Sequence, residues 1–169
     1  MVEFIDGYLN LHYITWTEMV VRILLACLFG MIFGLERNSK NKPINFRAYM
    51  IVAMTSCIVA ILGQELGHEF AQYDGVMSMD LGKIVSGTLT GIGFLGAGAI
   101  MKLSDNRVVG TATGASIWAC GGIGLTLGFG YYSLALAAFV VVTAILFIGG
   151  LFMNSSDNHD DDYVKTKEK

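Results

Sequence analysis

The chain has 169 residues, of which 54% are hydrophobic and only 15% are charged, and its mean hydropathy is +0.58. This composition is more apolar than that of ordinary soluble domains and predicts a membrane protein. The net charge of −3 is small, and a nucleic-acid partner is therefore not expected.

Five apolar stretches, each long enough to form a transmembrane helix, follow one another along the chain. They occupy residues 16–35, 48–64 and 84–101, and the long run 108–156 holds two helices joined by a turn near 128–132. At about 1.5 Å per residue, such helices approach the hydrocarbon thickness of a bilayer, about 30 Å. The predicted fold is all-α, a polytopic membrane protein of about five transmembrane helices with glycine-rich helix packing.

The predicted membrane domain comprises residues 18–153. Residues 1–17 contain no Lys or Arg and so lack the basic start of a secretory signal, and the first helix is expected to remain in the mature protein. Arg22 lies inside the first apolar stretch, where its long side chain can reach the membrane surface. The tail 154–169 is polar and is expected to be disordered.

Basic residues are distributed unequally between the loops. Most of the 11 Lys and Arg residues lie in the loop after the first helix, in the loop after the third helix and in the tail. Short loops rich in Lys and Arg stay on the cytoplasmic side of a membrane. With five spans, segment 1–17 is therefore extracytoplasmic and the C-terminal tail is cytoplasmic.

The third stretch contains "GIGFLG" at 91–96, which matches the G-x-G-x-x-G pattern of dinucleotide-binding folds. That motif requires a preceding strand and an acidic residue about 20 positions later, and this stretch has neither. In a membrane, glycines four residues apart instead permit close approach of helices. Packing within one chain is the preferred interpretation, while a pore, a homodimer seam and a partner-binding groove remain open. The glycines expected to pack are Gly30, Gly34, Gly87, Gly91, Gly93, Gly96, Gly98, Gly110 and Gly114.

Ionisable residues near the membrane are unfavourable in lipid and are therefore candidate functional groups. One set is expected at the cytoplasmic ends of the helices, either as interface anchors and ion pairs or as a functional cluster: Glu36, Arg37, Arg47, Asp105 and Arg107. Glu36 and Arg47 are expected to pair directly. A second set is expected at the outer side, where Lys83 and Arg22 are the predicted partners of Asp80.

Hydroxyl side chains fall within the third and fourth helices, at Ser86, Thr88, Thr90, Thr111, Thr113 and Ser116. Such groups can line a solute path, but in helices they more often bond to a carbonyl one turn back, which is the preferred interpretation. The sequence contains no nucleophile–base pair and no paired carboxylates with suitable spacing. Enzyme activity, a metal site and a cofactor are therefore not expected.

Several short motifs occur in order along the chain. They are "GLER" at 34–37, "FRA" at 46–48, Asp80 ahead of the third helix, "GIGFLGAGAIM" at 91–101, "VVGTATGASIW" at 108–118 and "GIGL" at 122–125. Over residues 18–150 the chain thereby resembles the MgtC/SapB family. The resemblance implies a small protein of the bacterial inner membrane that is associated with magnesium limitation and, in pathogens, with survival inside host phagocytes. It further implies binding to larger membrane proteins, such as the F-type ATP synthase or magnesium-transporting P-type ATPases.

The chain departs from the family pattern in two respects. Many members of the family have arginine and glutamine where this chain has Lys83 and Gly87, so a polar intramembrane contact of the family is not expected here. Longer members carry a soluble ACT-like domain after the last helix, and this chain is expected to be a short member without that domain.

Two classes of function remain. The first is a regulatory or interaction protein that docks, within the lipid bilayer, onto a larger membrane protein or onto a second copy of itself. The second is a small ion channel or transporter. The near absence of charge at mid-membrane favours the first class, because ion and proton pathways usually need an ionisable group there.

Topology provides the first testable prediction. A cysteine introduced at Tyr73 is expected to react with a thiol reagent added from outside the cell, and a cysteine introduced at Lys40 is expected to be protected, because the two loops lie on opposite sides of the bilayer. The labelling is measured on intact cells, with permeabilised cells as the control. The reverse pattern would exclude the five-span topology with the N-terminus outside.

Overall fold

The computed structural model describes residues 13–39, 45–72, 80–102, 106 and 108–167, and within these ranges it describes the side chains except at 37–39 and 150–167. The described part forms five helices and a small antiparallel ribbon. The elements are α1 (Trp16–Ser39), α2 (Phe46–Ala71), α3 (Leu81–Gly98), β1 (Met101–Lys102), β2 (Val108–Val109), α4 (Thr111–Gly128) and α5 (Tyr132–Lys167). The predicted all-α class is confirmed. The ribbon, in which Met101 is opposite Val109, was not predicted.

Three of the described helices are long and apolar enough to cross a membrane, over Trp16–Glu36, Phe46–Ala71 and Tyr132–Gly149. These segments coincide with the first, second and last predicted spans. Helices α3 and α4 have 18 residues each and contain several glycines and hydroxyl residues. That α3 and α4 also cross the membrane, to give five spans in total, stays a prediction.

Side-chain caps mark where the first two helices begin. The Thr15 hydroxyl oxygen accepts a hydrogen bond from the backbone N–H of Glu18 at 3.3 Å. The Asn45 side chain accepts one from the backbone N–H of Arg47, also at 3.3 Å. Each cap satisfies an N–H group that the first turn of a helix leaves without an internal acceptor.

Helix α4 is the centre of the bundle. It packs against all four other helices, and its buried side chains include Ile117, Ile123 and Leu127. Helix α5 lies at the periphery, since only 6% of its apolar segment is buried. It is joined to α1 by Phe139 and Phe29, whose rings stack with their centroids 4.2 Å apart. Helix α5 continues to Lys167 and so includes most of the tail for which the composition predicts disorder.

Glycines bring the backbones of neighbouring helices into contact at two seams. A Cβ atom at Gly30 of α1 would lie 2.7 Å from the carbonyl oxygen of Tyr49 on α2, and Gly34 lies in the same seam. A Cβ atom at Gly96 of α3 would lie 2.9 Å from the carbonyl oxygen of Gly114 on α4. These separations leave no room for a side chain, so the two seams require glycine at these positions.

Other glycines of α3 do not pack within the chain, contrary to the prediction. Gly87, Gly91 and Gly98 have no atom within 4 Å of a Cβ position, and Gly93 reaches only the edge of Trp118, at 4.0 Å. Helix α3 meets α4 through Gly96. At about 100° per residue, Gly87 and Gly98 project to nearly the opposite side of α3, which is why the stripe predicted from glycine spacing faces outward.

Gly110 is a turn residue and not a packing residue of α4. Its φ angle is +89°, in the left-handed region, and it lies immediately before the helix and against the carbonyl group of Ala99. A residue with a Cβ atom rarely adopts this conformation. Gly110 thus makes a close backbone contact, as predicted for it, but from the turn that leads from the ribbon into α4, whereas Gly114 forms the helix seam with α3.

The two sides of α3 can be compared by one substitution. We expect Gly96→Leu to lower the free energy of unfolding by about 3 kcal/mol or more, because the leucine would overlap the backbone of α4. Gly87→Leu, the same change on the outward side, is expected to alter it by less than about 1 kcal/mol. Thermal unfolding of the full chain in detergent measures both. Equal destabilisation by the two variants would contradict this assignment of the α3 faces.

Candidate functional site

Arg22 of α1 is enclosed by the bundle, with only 5% of its surface exposed. Its guanidinium is therefore enclosed by protein groups, and that it reaches the depth of the membrane surface stays a prediction. A buried guanidinium in apolar surroundings is strongly unfavourable unless protein groups accept its N–H bonds. The acceptors around Arg22 explain why it stays inside.

Four helices supply the partners of Arg22. Its Nη1 donates to Oε1 of Gln64 on α2 at 2.8 Å and to the carbonyl oxygen of Gly128, the last residue of α4, at 2.6 Å. Its Nε donates to the hydroxyl oxygen of Tyr132 on α5 at 3.2 Å, and its Nη2 donates to the carboxylate of Glu18 on α1. We call these five groups the Arg22 cluster. The planar, five-donor guanidinium suits such a junction better than an ammonium group.

The turn between α4 and α5 is shaped around the guanidinium. Gln64 donates from Nε2 to the carbonyl oxygen of Phe129 at 3.2 Å, which holds the first turn residue. Gly130 has a φ angle of +82°, and a Cβ atom there would lie 2.8 Å from Nη2 of Arg22. The positive charge also lies at the C-terminus of α4, where the helix dipole favours a cation.

The segment before α1 is attached at the same end of the bundle. The backbone N–H of Ile14 donates to Oε1 of Glu65 on α2 at 2.7 Å, and the N–H of Tyr13 donates to the same carboxylate at 3.1 Å. Ile14 is buried, with 2% of its surface exposed, and the ring of Tyr13 lies 5.0 Å from that of His68. This end of the molecule, called the Arg22 end below, is thus fixed by directed polar contacts.

Asp80 does not join the Arg22 cluster. Its carboxylate caps α3 by accepting hydrogen bonds from the backbone N–H groups of Gly82 at 2.9 Å and Lys83 at 3.3 Å. The predicted pairing of Asp80 with Arg22 and with the Lys83 side chain is wrong, because the cap uses the carboxylate and the Arg22 cluster uses the guanidinium. Lys83 itself is exposed.

Glu36 lies at the opposite end of the bundle and is also buried, with 6% of its surface exposed. Arg47, its predicted partner, is exposed and forms no ion pair with it. Gly34 of α1 lies in close contact with Phe46 of α2, while Arg47, the next residue of α2, faces outward. The other members predicted for this set, the Arg37 side chain, Asp105 and Arg107, lie outside the described residues.

A buried polar contact links α2 to the central helix. The hydroxyl groups of Tyr49 and Ser116 are 2.8 Å apart, and Ser116 also donates to the carbonyl oxygen of Thr113 at 2.8 Å. The Cys120 thiol donates to the carbonyl oxygen of Tyr49 at 3.4 Å. These residues are enclosed by α2 and α4, so their polar atoms contact protein groups and not a solute path.

The two threonine hydroxyls of α3 bond to their own helix, as the sequence predicts. Thr88 donates to the carbonyl oxygen of Ile84, and Thr90 donates to that of Ser86, both at 2.8 Å. Ser86 is exposed, as is Thr111 at the start of α4. Because the hydroxyl protons of Thr88 and Thr90 are used within α3, they are not available to an acceptor outside the helix.

The described part of the chain shows no arrangement suited to metal chemistry. Within it, no group of three or more His, Cys, Asp or Glu side chains could hold a metal ion, and Cys27, Cys57 and Cys120 are free thiols. The Arg22 cluster has a structural role. It ties α1, α2, α4 and α5 together by hydrogen bonds of defined direction.

Most of the Arg22 cluster could not be identified from the sequence. Glu18 and Arg22 are four residues apart on one helix face, a spacing that predicts an ion pair. Gln64 and Tyr132 are polar residues at helix ends with no motif around them, and Gly128 contributes only a backbone carbonyl. These three residues contact Arg22 only because of how the helices pack.

Comparison with known proteins places the chain among bacterial relatives. A family model described as the MgtC family matches residues 23–154. Protein SapB of Bacillus subtilis (strain 168) is 34% identical over 74% of this chain and 53% of its own length. The Escherichia coli (strain K12) protein named "Putative magnesium transporter YhiD" is 30% identical over 76% of this chain and 59% of its own length. Protein MgtC of Salmonella typhimurium (strain 14028s / SGSC 2262) is 30% identical over 73% of this chain and 48% of its own length.

The chain spans only about half the length of these curated relatives. No solved structure matches the chain.

Removal of the guanidinium tests the Arg22 cluster. We expect Arg22→Met to lower the free energy of unfolding by about 3 kcal/mol, because the variant leaves the acceptors on Gln64 and Gly128 unsatisfied. Arg22→Lys should recover only part of this loss, since an ammonium group lacks the planar fork. Lys83→Met removes an exposed cation and should change stability by less than about 0.5 kcal/mol. Denaturant unfolding in mixed micelles measures all three, and a mild effect of Arg22→Met would refute a structural role for the cluster.

Proposed function

The chain belongs to the MgtC family, and from this premise we propose that it is a regulatory membrane protein that acts by binding a larger membrane protein. Its proposed setting is the bacterial inner membrane, with the Arg22 end outside and the C-terminus in the cytoplasm. Its proposed role is adaptation to low magnesium or to related stress. The partners proposed on the basis of the family are an F-type ATP synthase or a magnesium-transporting P-type ATPase.

The outward face of α3 is the observation that carries this proposal. Gly87, Gly91 and Gly98 leave the backbone of α3 accessible along this face, with no other part of the described chain within 4 Å of a Cβ position. Phe94 is 81% exposed. In lipid, helices associate by close backbone approach at small residues, so a helix of a partner could contact α3 here without any repacking of the bundle.

The internal contacts of the bundle also support a binding role. The Arg22 cluster and the glycine seams fix α1, α2 and α4, so the α3 face is presented on a rigid framework. The enclosed charged groups Arg22 and Glu36 lie at opposite ends of α1, near the two ends of the bundle. A pathway for ions would instead need ionisable groups along the middle of the spans.

Transport is the second candidate function. It is favoured by the name of the Escherichia coli relative YhiD, which refers to magnesium transport. This chain spans 59% of that relative. A transporter of this size would need polar groups along its helices to replace the hydration shell of the cation, whereas the α3 threonines donate to their own helix.

A substitution on the α3 face separates the two functions. Gly91→Leu is expected to preserve protein abundance, because open space surrounds this position, and to lower recovery of the partner about tenfold, the effect of about 1.4 kcal/mol lost at an interface. Gly149→Leu is the matched control, since that glycine of α5 also has open space around it. The measurement is purification of the tagged full chain from native membranes, followed by quantitative mass spectrometry.

The same preparations test transport directly. Magnesium flux is measured in proteoliposomes that contain the purified chain alone. Flux that depends on the chain and is unchanged by Gly91→Leu, together with unchanged partner recovery, would contradict the proposed binding role and favour a transporter.

A further inference from the structure

Residues 13 and 14, which precede α1, are attached to α2 by one carboxylate. The backbone N–H of Ile14 donates to Oε1 of Glu65 at 2.7 Å, and the N–H of Tyr13 lies within hydrogen-bond distance of both oxygens, at 3.1 and 3.2 Å. Ile14 itself is buried in the core. We call residues 13 and 14 the N-terminal strap and their hydrogen bonds with Glu65 the latch. The latch is a tertiary contact, since it joins residues 51 positions apart.

The latch depends on the negative charge of Glu65. Two successive backbone N–H groups point at one acceptor, an arrangement that in turns forms a small anion-binding concavity. An ionised carboxylate accepts at both oxygens, and its hydrogen bonds are roughly twice as strong as those of a neutral acceptor. A protonated carboxyl group carries a hydrogen on one oxygen and keeps only part of this capacity. Uptake of one proton by Glu65 therefore weakens the latch.

Glu65 is placed where protons from water can reach it. It is partly exposed, and it follows directly after the apolar run 48–64 of α2. Helix α2 has 26 residues and is about 39 Å long, which exceeds the hydrocarbon thickness of about 30 Å. Its last turns, which carry the exposed residues His68 and Glu69, therefore extend toward the aqueous phase.

The titratable neighbours of Glu65 on α2 do not open the latch in acid. His68 follows Glu65 by three residues, and its ring lies 5.0 Å from that of Tyr13. Glu69 follows Glu65 by four residues on the same side of the helix. Acid makes His68 positive and Glu69 neutral, and both changes favour an ionised carboxylate nearby. Protonation of Glu65 itself is therefore the event that weakens the latch.

The charged groups of the other helices are engaged elsewhere. Helix α3 packs on α2 at Gly63, two residues before Glu65 and so about 200° away around the helix. Asp80 and Lys83, at the start of α3, are consequently on the other side of α2. At this end, the charged and titratable groups of α1 and α5 bond to one another within the Arg22 cluster, namely Glu18, Arg22 and Tyr132.

We propose that the latch is an acid-sensitive switch, in which protonation of Glu65 releases the N-terminal strap from α2. The ionised carboxylate stabilises the closed strap, so closure is complete at neutral pH and is lost as the pH falls through the titration of that carboxylate. Release withdraws Ile14 from the core and uncovers the Arg22 end of the bundle. The switch does not depend on the binding role proposed for the outward face of α3.

Hydrogen–deuterium exchange of the full chain in detergent tests the switch. Overlapping peptides resolve the strap amides, and rates are corrected for the intrinsic effect of pH. Exchange is measured at about pH 7 and at about pH 3.5, on either side of the ordinary titration of a carboxyl group. We expect protection of the strap to fall about tenfold at the lower pH, the effect of losing charge-assisted hydrogen bonds. Protection of α4, the central helix, should persist.

Three variants identify the group that responds to acid. Glu65→Gln keeps the shape of the side chain without its charge, so the strap should be about tenfold less protected already at about pH 7 and should show no further response. Glu69→Gln is the matched control, and His68→Gln removes the neighbouring imidazole; both should keep the response of the unmodified chain.

Several results would overturn the proposal. They are equal strap protection of the unmodified chain at both pH values, a response that persists in Glu65→Gln, and a response that disappears in Glu69→Gln or His68→Gln. Loss of α4 protection together with that of the strap would also overturn it, because acid would then unfold the whole bundle. The measurement on the unmodified chain decides the matter even if Glu65→Gln fails to fold.

Discussion

A guanidinium group inside an apolar bundle must have its N–H groups satisfied by protein acceptors, and this requirement organises one end of the molecule. Arg22 is 5% exposed and draws its acceptors from four helices, including the terminal carbonyl of α4. Glycine at position 130 fits the same constraint, since its φ angle is positive and a side chain there would overlap the guanidinium. Apolar surfaces alone do not define how helices align in lipid, because lipid tails solvate them equally well. The directed hydrogen bonds of the Arg22 guanidinium do define the alignment of the helices that they join.

Close backbone packing fixes the remainder of the bundle and determines which surfaces stay open. Helix α4 is enclosed by its neighbours, and Gly96 and Gly114 bring α3 against it. Because α3 uses the Gly96 side for this contact, its other glycines face outward, where a protein partner can reach the backbone. Helix α5 is held mainly through α4 and α1, which leaves a cleft between α3 and α5. The open helix face and the cleft therefore follow from one packing arrangement.

The sequence predicts the helices well and their contacts less well, for physical reasons. Charge-free apolar runs locate all five helices, because both transmembrane length and hydrophobicity are local properties. They do not locate the C-terminal ends of α2 and α5, which continue beyond the apolar runs to Ala71 and Lys167. Glycine spacing correctly marks Gly30, Gly34, Gly96 and Gly114 as sites of close approach, but it cannot tell which face of α3 points inward, since both faces are apolar. The turn role of Gly110 depends on its positive φ angle, which spacing does not reveal. The contact of Arg22 with Gln64 joins residues 42 positions apart and arises only from packing.

The central claim is that Arg22 and its acceptors stabilise the bundle as one unit. A double-mutant cycle of Arg22→Met and Gln64→Leu tests it most directly, with the free energy of unfolding of the full chain measured in bilayer nanodiscs for both single variants and the double variant. If the two side chains are coupled, the loss in the double variant differs from the sum of the two single losses by about 1 kcal/mol or more, because either single substitution already disrupts the shared hydrogen bond. Strictly additive losses would contradict the claim, since they would mean that the two side chains stabilise the protein independently.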